Sequence, residues 1–336
     1  MQHDKPVTQT LGHLIDGQIV NDTARTQPVF NPATGEQSAI LKLSTNDEIN
    51  AAVANAKAAL AMQPAATWIG HITVLLQVGG LNILTDPVFS ERASPFQFMG
   101  PKRFHAPPIS IDELPPIEGV VLSHDHYDHL DYSAIQKLAP KVAHFITPLG
   151  VGDRLIDWGV PAAKVQQLDW WQSTTVGALE LTATPAQHFS GRGLTDSDRT
   201  LWASWVIQAD GLKVFFSGDT GLTGEYAAIR ERFGAFDLVM LEVGAFHPSW
   251  GDIHLGPENA LQALALLGGG AFLPVHWGTF SLAMHAWDEP AETLLKLAPQ
   301  QGVHLLMPQL GQPVEPAQVD SVTPWWRGVE AASGAA

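Results

Sequence analysis

The chain has no cysteine and few cations: its 336 residues include 18 lysines and arginines against 34 aspartates and glutamates. Without a thiol there is no disulfide framework, no thiolate metal site and no cysteine nucleophile. A formal charge of −16 repels phosphate backbones and anionic lipid surfaces, so no nucleic-acid partner is expected. Long apolar runs are missing too. Gly, Pro, Gln or His interrupts every run before the roughly 18 residues a spanning helix needs. Residues 1–10 are polar and hold no apolar core of a signal peptide. The expectation is a cytoplasmic protein with no integral membrane segment. What remains is an ordinary soluble composition, 45% apolar and 15% charged, at a length suited to one large domain, or one domain with an appendage.

One stretch carries most of the chemistry. The apolar run Val120, Val121, Leu122 ends at Ser123, and then His124, His126, Asp128 and His129 fall within six positions. A strand that stops at a polar turn delivers its last side chains to one rim of a sheet. Histidines at i and i+2 point the same way while the chain stays extended, and Asp128 and His129 converge on them from the turn. Imidazole and carboxylate are the ligands that borderline divalent ions such as zinc prefer. So dense a cluster has little structural use and reads as a metal site.

Taken in order, residues 12–62 form a piece of their own. Asp16-Gly17 between aliphatic residues signals a hairpin, residues 28–43 read as strand, turn, strand, and residues 44–47 cap a helix with Ile49, Ala52, Val53, Ala56 and Leu60 on one face. This β-β-α piece is too short for a core of its own. Its strand edges and one-faced helix predict a packing or dimer-forming role. From Thr67 the character changes. Residues 68–78 and 81–87 read as two strands joined across Gly79-Gly80, and the proline- and aromatic-rich residues 88–116 as an irregular loop near the site. Strands are then expected at 145–147, 165–168, 179–184, 203–208, 213–216, 238–241 and 271–275, with helices at 132–138, 257–267 and 291–296. That order predicts an α+β fold: two sheets face to face with helices outside, an αββα sandwich. Trp170, Trp171, Trp202, Trp250 and Trp277 are expected mostly in the core.

Three further candidates, His188, Asp219 and His276, each follow an apolar strand and open a turn, the position that the 124–129 cluster occupies. Glycines 218 and 221 flank Asp219 and let the backbone turn sharply. The order His-x-His-x-Asp-His, then His, Asp and His, resembles the metallo-β-lactamase superfamily. Residues 67–71, 84–90, 123–131, 185–188, 216–221 and 276–280 resemble more closely the N-acyl-phosphatidylethanolamine-hydrolysing phospholipase D group, over roughly residues 67–310. That resemblance implies a metallo-β-lactamase fold with two zinc ions, manganese or iron being the alternatives. One ion would be held by His124, His126 and His188, the other by Asp128, His129 and His276, with Asp219 bridging. His254 matches a histidine of that group near the site that is not a ligand. Glu242 departs from it, standing where the group tends to have proline. Residues 13–17, 29–35 and 48–53 resemble the start of aldehyde dehydrogenases of the methylmalonate-semialdehyde type, which makes residues 1–62 a fused segment ahead of a hydrolase domain at 63–336. With no cysteine nucleophile, no dehydrogenase activity follows.

The chemistry expected of such a site is hydrolysis. Two zinc ions about 3.5–4 Å apart lower the pKa of a shared water toward neutrality, and the resulting hydroxide attacks phosphorus or a carbonyl carbon while the metals take up oxyanion charge. Asp128 orients the nucleophile, and His254 offers a hydrogen bond to substrate or leaving group. The leading reading is a phosphodiesterase acting on a small-molecule phosphoester or ester. A lactonase or phosphotriesterase is the alternative on the same site, and a catalytically silent metal-binding scaffold the alternative of another class.

Overall fold

The computed structural model describes residues 9–15, 18–20, 24–61, 64–209 and 211–329. The chain divides into two compact units, Met1–Met62 and Gln63–Ala336. In the first, β1 (Gln9–Leu11) pairs in parallel with β5 (Gln37–Lys42), which pairs antiparallel with β4 (Thr26–Phe30). Strands β2 (His13–Ile15) and β3 (Gln18–Val20) form the expected hairpin, whose Asp16-Gly17 turn lies outside the described residues. Helix α1 (Asn46–Ala61) opens with a capping box: Glu48 Oε2 accepts the Thr45 N–H at 2.6 Å, and Thr45 Oγ1 accepts the Glu48 N–H at 3.2 Å.

The second unit runs β6 (Ala65–Gly70), β7 (Thr73–Val78), β8 (Leu81–Thr85), β9 (Ile117–Val121), α2 (Tyr132–Leu138), β10 (Val142–Pro148), α3 (Val151–Asp157) and β11 (Val165–Leu168). It continues through β12 (Ser173–Val176), β13 (Leu179–Thr184), β14 (Ser204–Ala209), β15 (Leu212–Phe216), α4 (Glu225–Phe233), β16 (Leu238–Glu242), α5 (Gly256–Leu267), β17 (Ala271–Val275), α6 (Glu289–Leu297) and β18 (Pro313–Val314). A seven-stranded sheet has the order β11-β10-β9-β8-β7-β6-β18, and a six-stranded sheet the order β12-β13-β14-β15-β16-β17. The period of two sorts the first sheet's residues. Val74, Leu76, Ile83, Val121 and Ile146 share one core with Leu181, Trp205, Ile207 and Phe215 of the second sheet. Their neighbours Leu75, Leu84, Val120 and Phe145 face the other way, onto Ile135 and Leu138 of α2 and Leu155 of α3. Tyr226, Leu261 and Leu294, from α4, α5 and α6, join the core with the second sheet. This is the αββα sandwich.

The first long strand is not continuous. Residues 65–78 break at Gly70-His71-Ile72 into the antiparallel pair β6–β7, with His71 at φ 54°. Helices α3 and α4 and strands β12 and β18 carry weaker periodicity and were not foreseen. Among the described residues no helix is long and apolar enough to cross a membrane.

Candidate metal centre

Strand direction gathers the site. Strands β8, β9 and β10 are mutually parallel, as are β15, β16 and β17; β6 and β13, each two antiparallel steps away, run with their respective sets. The carboxyl ends of these strands deliver His71 after β6, Asp86 after β8, residues 123–129 after β9, His188 after β13, Asp219 after β15, Glu242 at the end of β16 and His276 after β17. The open mouth beyond strand carboxyl ends is where mainly parallel sheets bind ligands. Three of these residues sit in the left-handed region without being glycine: His71 (φ 54°), Asp86 (φ 28°) and His276 (φ 67°). Such backbone strain collects where surrounding contacts impose it.

All seven residues expected as ligands come together. The ligating atoms of His124, His126 and His188 lie within 4.8 Å of one another, as do those of Asp128, His129 and His276. Asp219 stands between the groups, its Oδ2 3.1 Å from His129 Nε2 and 3.7 Å from His188 Nε2, its Oδ1 3.2 Å from His276 Nε2. Yet His129 Nε2 and Asp219 Oδ1 are buried and have no hydrogen-bond partner among the described residues. The outward ring nitrogens of three of the histidines, by contrast, are partnered, whereas that of His276 is not. His129 Nδ1 donates to Asp86 Oδ2 at 2.7 Å, His188 Nδ1 to the Ile253 carbonyl at 2.9 Å, and His124 Nδ1 to Ser123 Oγ at 2.9 Å. An imidazole whose outer nitrogen carries the proton turns a lone pair inward. Converging lone pairs and orphaned carboxylate oxygen are the donor set of a divalent cation, so these residues fit such an ion.

The protonation states agree. Burial pushes His188 down to about 3 and holds His124 well below its ordinary value. Burial would also lower His276 and His129, but the Asp219 and Asp128 carboxylates outweigh it, lifting His276 to about 10 and His129 well above its ordinary range. The same histidines hold Asp128 and Asp219 far below the usual carboxylate range despite burial. A divalent ion bound here would replace two imidazolium protons as the counter-charge.

Sequence reasoning missed three supporting groups. His71, fully buried, donates from Nε2 to Asp128 Oδ2 at 3.0 Å and packs its ring 4.0 Å from that of His276. Burial, chiefly, lowers it to about 3, so it is neutral. Asp86 accepts from His129, from the Ser123 N–H at 2.7 Å and from Ser123 Oγ. Glu242, fully buried, accepts the Leu255 N–H at 2.7 Å and faces His254 Nδ1 at 3.2 Å. The signal that marked His188, Asp219 and His276, a polar residue ending an apolar strand, is present at all three. Further out, Asp125 pairs with Arg154 at 2.8 Å, and the Arg192 guanidinium lies 3.9 Å over Tyr127 and bonds the Asp125 and Leu130 carbonyls, bracing the 124–131 turn.

The centre opens into a cavity of about 480 Å³ lined by His126, Asp128, Phe189, Asp219, Ala245, Trp250, Ile253, His254, His276 and Leu282. Among the described residues no lysine or arginine lines it. Trp277 is core as expected, whereas Trp250 is 39% exposed and walls the cavity. His254 is in the wall; burial would lower it, but Glu242 and Asp219 outweigh that and raise it.

Comparison with known proteins agrees with this geometry. Residues 81–277 match the β-lactamase superfamily domain. An uncharacterised protein of Mycobacterium tuberculosis is 45% identical over 267 residues, covering 78% of this chain and 72% of that one. The N-acyl-phosphatidylethanolamine-hydrolyzing phospholipase D 1 of Caenorhabditis elegans is 36% identical over 246 residues, covering 69% of each. Among solved structures, Igni18, a metallo hydrolase of Ignicoccus hospitalis, superposes with a TM-score of 0.58 at 22% identity over 75% of this chain and 97% of its own, a likeness of fold.

Proposed function

The chain belongs to the metallo-β-lactamase superfamily of metal-dependent hydrolases, and from that premise we propose that it cleaves phosphodiester bonds with two divalent ions, zinc first among them. His124, His126 and His188 would hold one ion, Asp128, His129 and His276 the other, and Asp219 would bridge. When bound, such ions supply Lewis acidity and a water acidic enough to ionise near neutral pH.

The chain's own groups do the rest. Asp128, fixed by His71, and Asp219 orient the attacking oxygen, and His254, beside Asp219 in the cavity wall, meets the substrate. Phe189, Trp250, Ile253 and Leu282 exclude water and take the apolar part of the substrate. The observation that carries the reading is the convergence of seven imidazole and carboxylate groups, with His129 Nε2 and Asp219 Oδ1 buried at their centre and without a hydrogen-bond partner among the described residues. That no lysine or arginine lines the cavity among the described residues favours a singly charged diester over a multiply charged monoester. The activity named for the Caenorhabditis elegans relative supports a diester as well. The N-terminal unit, by its strand edges and its helix with one apolar face, is assigned a packing or dimer-forming role outside the chemistry.

The test is hydrolysis of bis(p-nitrophenyl) phosphate by zinc-loaded protein beside a chelated sample. Turnover that chelation abolishes is expected. No turnover by protein holding two zincs per chain would overturn the diester reading and move it to lactones and phosphotriesters.

A further inference from the structure

Glu242 is a costly residue where it stands. It ends β16 in register with Val275 of β17, is wholly buried, and has its own N–H bonded to Ser217 Oγ at 3.0 Å. A carboxylate there forfeits its hydration and is retained only if it is well partnered. Its Oε1 is: the Leu255 N–H reaches it at 2.7 Å and His254 Nδ1 at 3.2 Å, while Oε2, also buried, has no hydrogen-bond partner among the described residues. His254 Nδ1 is 3.9 Å from Asp219 Oδ2, beyond hydrogen-bond distance, so Glu242 is the nearer claimant. Among the described residues His254 Nε2 makes no hydrogen bond, and the ring lines the cavity with Asp219 and Trp250. A backbone-anchored carboxylate thus grips one ring nitrogen and leaves the other to whatever fills the cavity.

We propose that Glu242 is a positioning residue: by accepting the Nδ1 proton it fixes the tautomer and orientation of His254, so that Nε2 meets a substrate oxygen. The inference rests on the hydrolase reading above and adds a carboxylate–imidazole pair beside the metal ligands. An acid that orients an imidazole without touching substrate is an established catalytic device. A purely structural role, fastening the entry of α5 through the Leu255 N–H, predicts different behaviour, and the two can be separated.

The experiment compares the full chain, zinc-loaded, with Glu242→Ala, Glu242→Gln, His254→Gln and the double variant Glu242→Ala/His254→Gln. Glu242→Gln keeps the volume and the accepting oxygen, so it guards against a variant that fails to fold. Glu242→Ala is expected to lower kcat for the diester about 10–100-fold, the range typical of outer-shell partners, with KM within about twofold and zinc content unchanged. Glu242→Gln should recover most of kcat, and the double variant should be no slower than His254→Gln, because the two residues act as one unit. Independently of turnover, ¹⁵N spectra of histidine-labelled protein, with and without zinc, should show His254 protonated at Nδ1 in the parent and Glu242→Gln chains, identified by its loss in His254→Gln. In Glu242→Ala that signature should give way to mixed tautomers. Losses that multiply in the double variant, or an Nδ1 signature that survives in Glu242→Ala, would overturn the proposal. A parent protein that turns over no diester would instead count against the hydrolase reading, and the spectra would still decide the role of Glu242.

Discussion

Asp86→Asn changes one buried oxygen into an amide nitrogen and is expected to cost a metal rather than the fold. Asp86 is completely buried and accepts three hydrogen bonds: Oδ1 from the Ser123 N–H at 2.7 Å, and Oδ2 from Ser123 Oγ–H and from His129 Nδ1–H at 2.7 Å. Asparagine keeps Oδ1 for Ser123 N–H but puts an NH₂ where Oδ2 stood. That group cannot accept from His129. The imidazole therefore moves its proton to Nε2, the inward atom 3.1 Å from Asp219 that would ligate the ion. Exchanging one charge-assisted bond for a neutral one costs stability about 1–3 kcal/mol. Inverting an outer-shell partner typically costs metal affinity about 10–100-fold, or about 1.4–2.7 kcal/mol. Asp86→Ala, which strands three donors at about 1–3 kcal/mol each before water refills the space, should destabilise more than Asn does. Competition with a chromophoric chelator reads zinc affinity and stoichiometry, and thermal unfolding of the metal-free protein reads the fold. Two zincs bound to Asp86→Asn with the parent affinity would refute the reasoning, because His129 Nε2 would then not be a ligand.

Three further outcomes are expected. His71→Gln, which withdraws the Nε2–H bond to Asp128 at 3.0 Å and the ring packed on His276, should weaken zinc binding about 10–100-fold, read by the same competition; unchanged affinity would leave His71 a packing residue only. The metal-free protein should be most resistant to heat near the ordinary histidine value, at about pH 6–7. Below the ordinary histidine value of 6.5 the unfolded chain binds protons that His71 and His188, both near 3 when folded, refuse, so stability falls with falling pH. Below 3.8 the carboxylates Asp128 and Asp219 add to that loss. The contributions of His129, raised well above its ordinary range, and of His276, raised to about 10, are complete below 6.5; that of His276 falls progressively from 6.5 and is lost as pH rises through 10. Melting curves across pH check this, and a metal-free protein whose stability keeps rising above pH 10 would contradict it. Deleting residues 1–62 should leave zinc content and turnover intact and alter solubility or oligomeric state; unchanged size in solution would remove the packing role.

Much of the architecture was legible because its signals are local. Short apolar runs ending at a polar turn marked β9, β13 and β15–β17, and the Thr45–Glu48 box marked the start of α1. The break at His71 was not legible: residues 68–78 are mostly apolar, with His71, Thr73 and Gln77 the polar exceptions, and only antiparallel pairing of β6 with β7 shows that the chain reverses there. The α3 segment Val-Gly-Asp-Arg-Leu-Ile-Asp is seven residues long, too short for its period to stand out. Trp250 looked like core because aromatic composition says nothing about which wall a ring joins.

Taken alone, the sequence determined the kind of site. A dense His/Asp cluster after an apolar strand, followed by three more such strand ends, specifies a donor set and a single rim, since a strand's last side chains emerge where the strand stops. The tertiary structure decided which nitrogen of each ring faces inward. That depends on partners far apart in the chain: Asp86 for His129, 43 residues away, His71 for Asp128, 57 residues away, and the Ile253 carbonyl for His188, 65 residues away. Such pairings leave no periodic trace. They exist only once two sheets have closed and each buried N–H has had to find an acceptor.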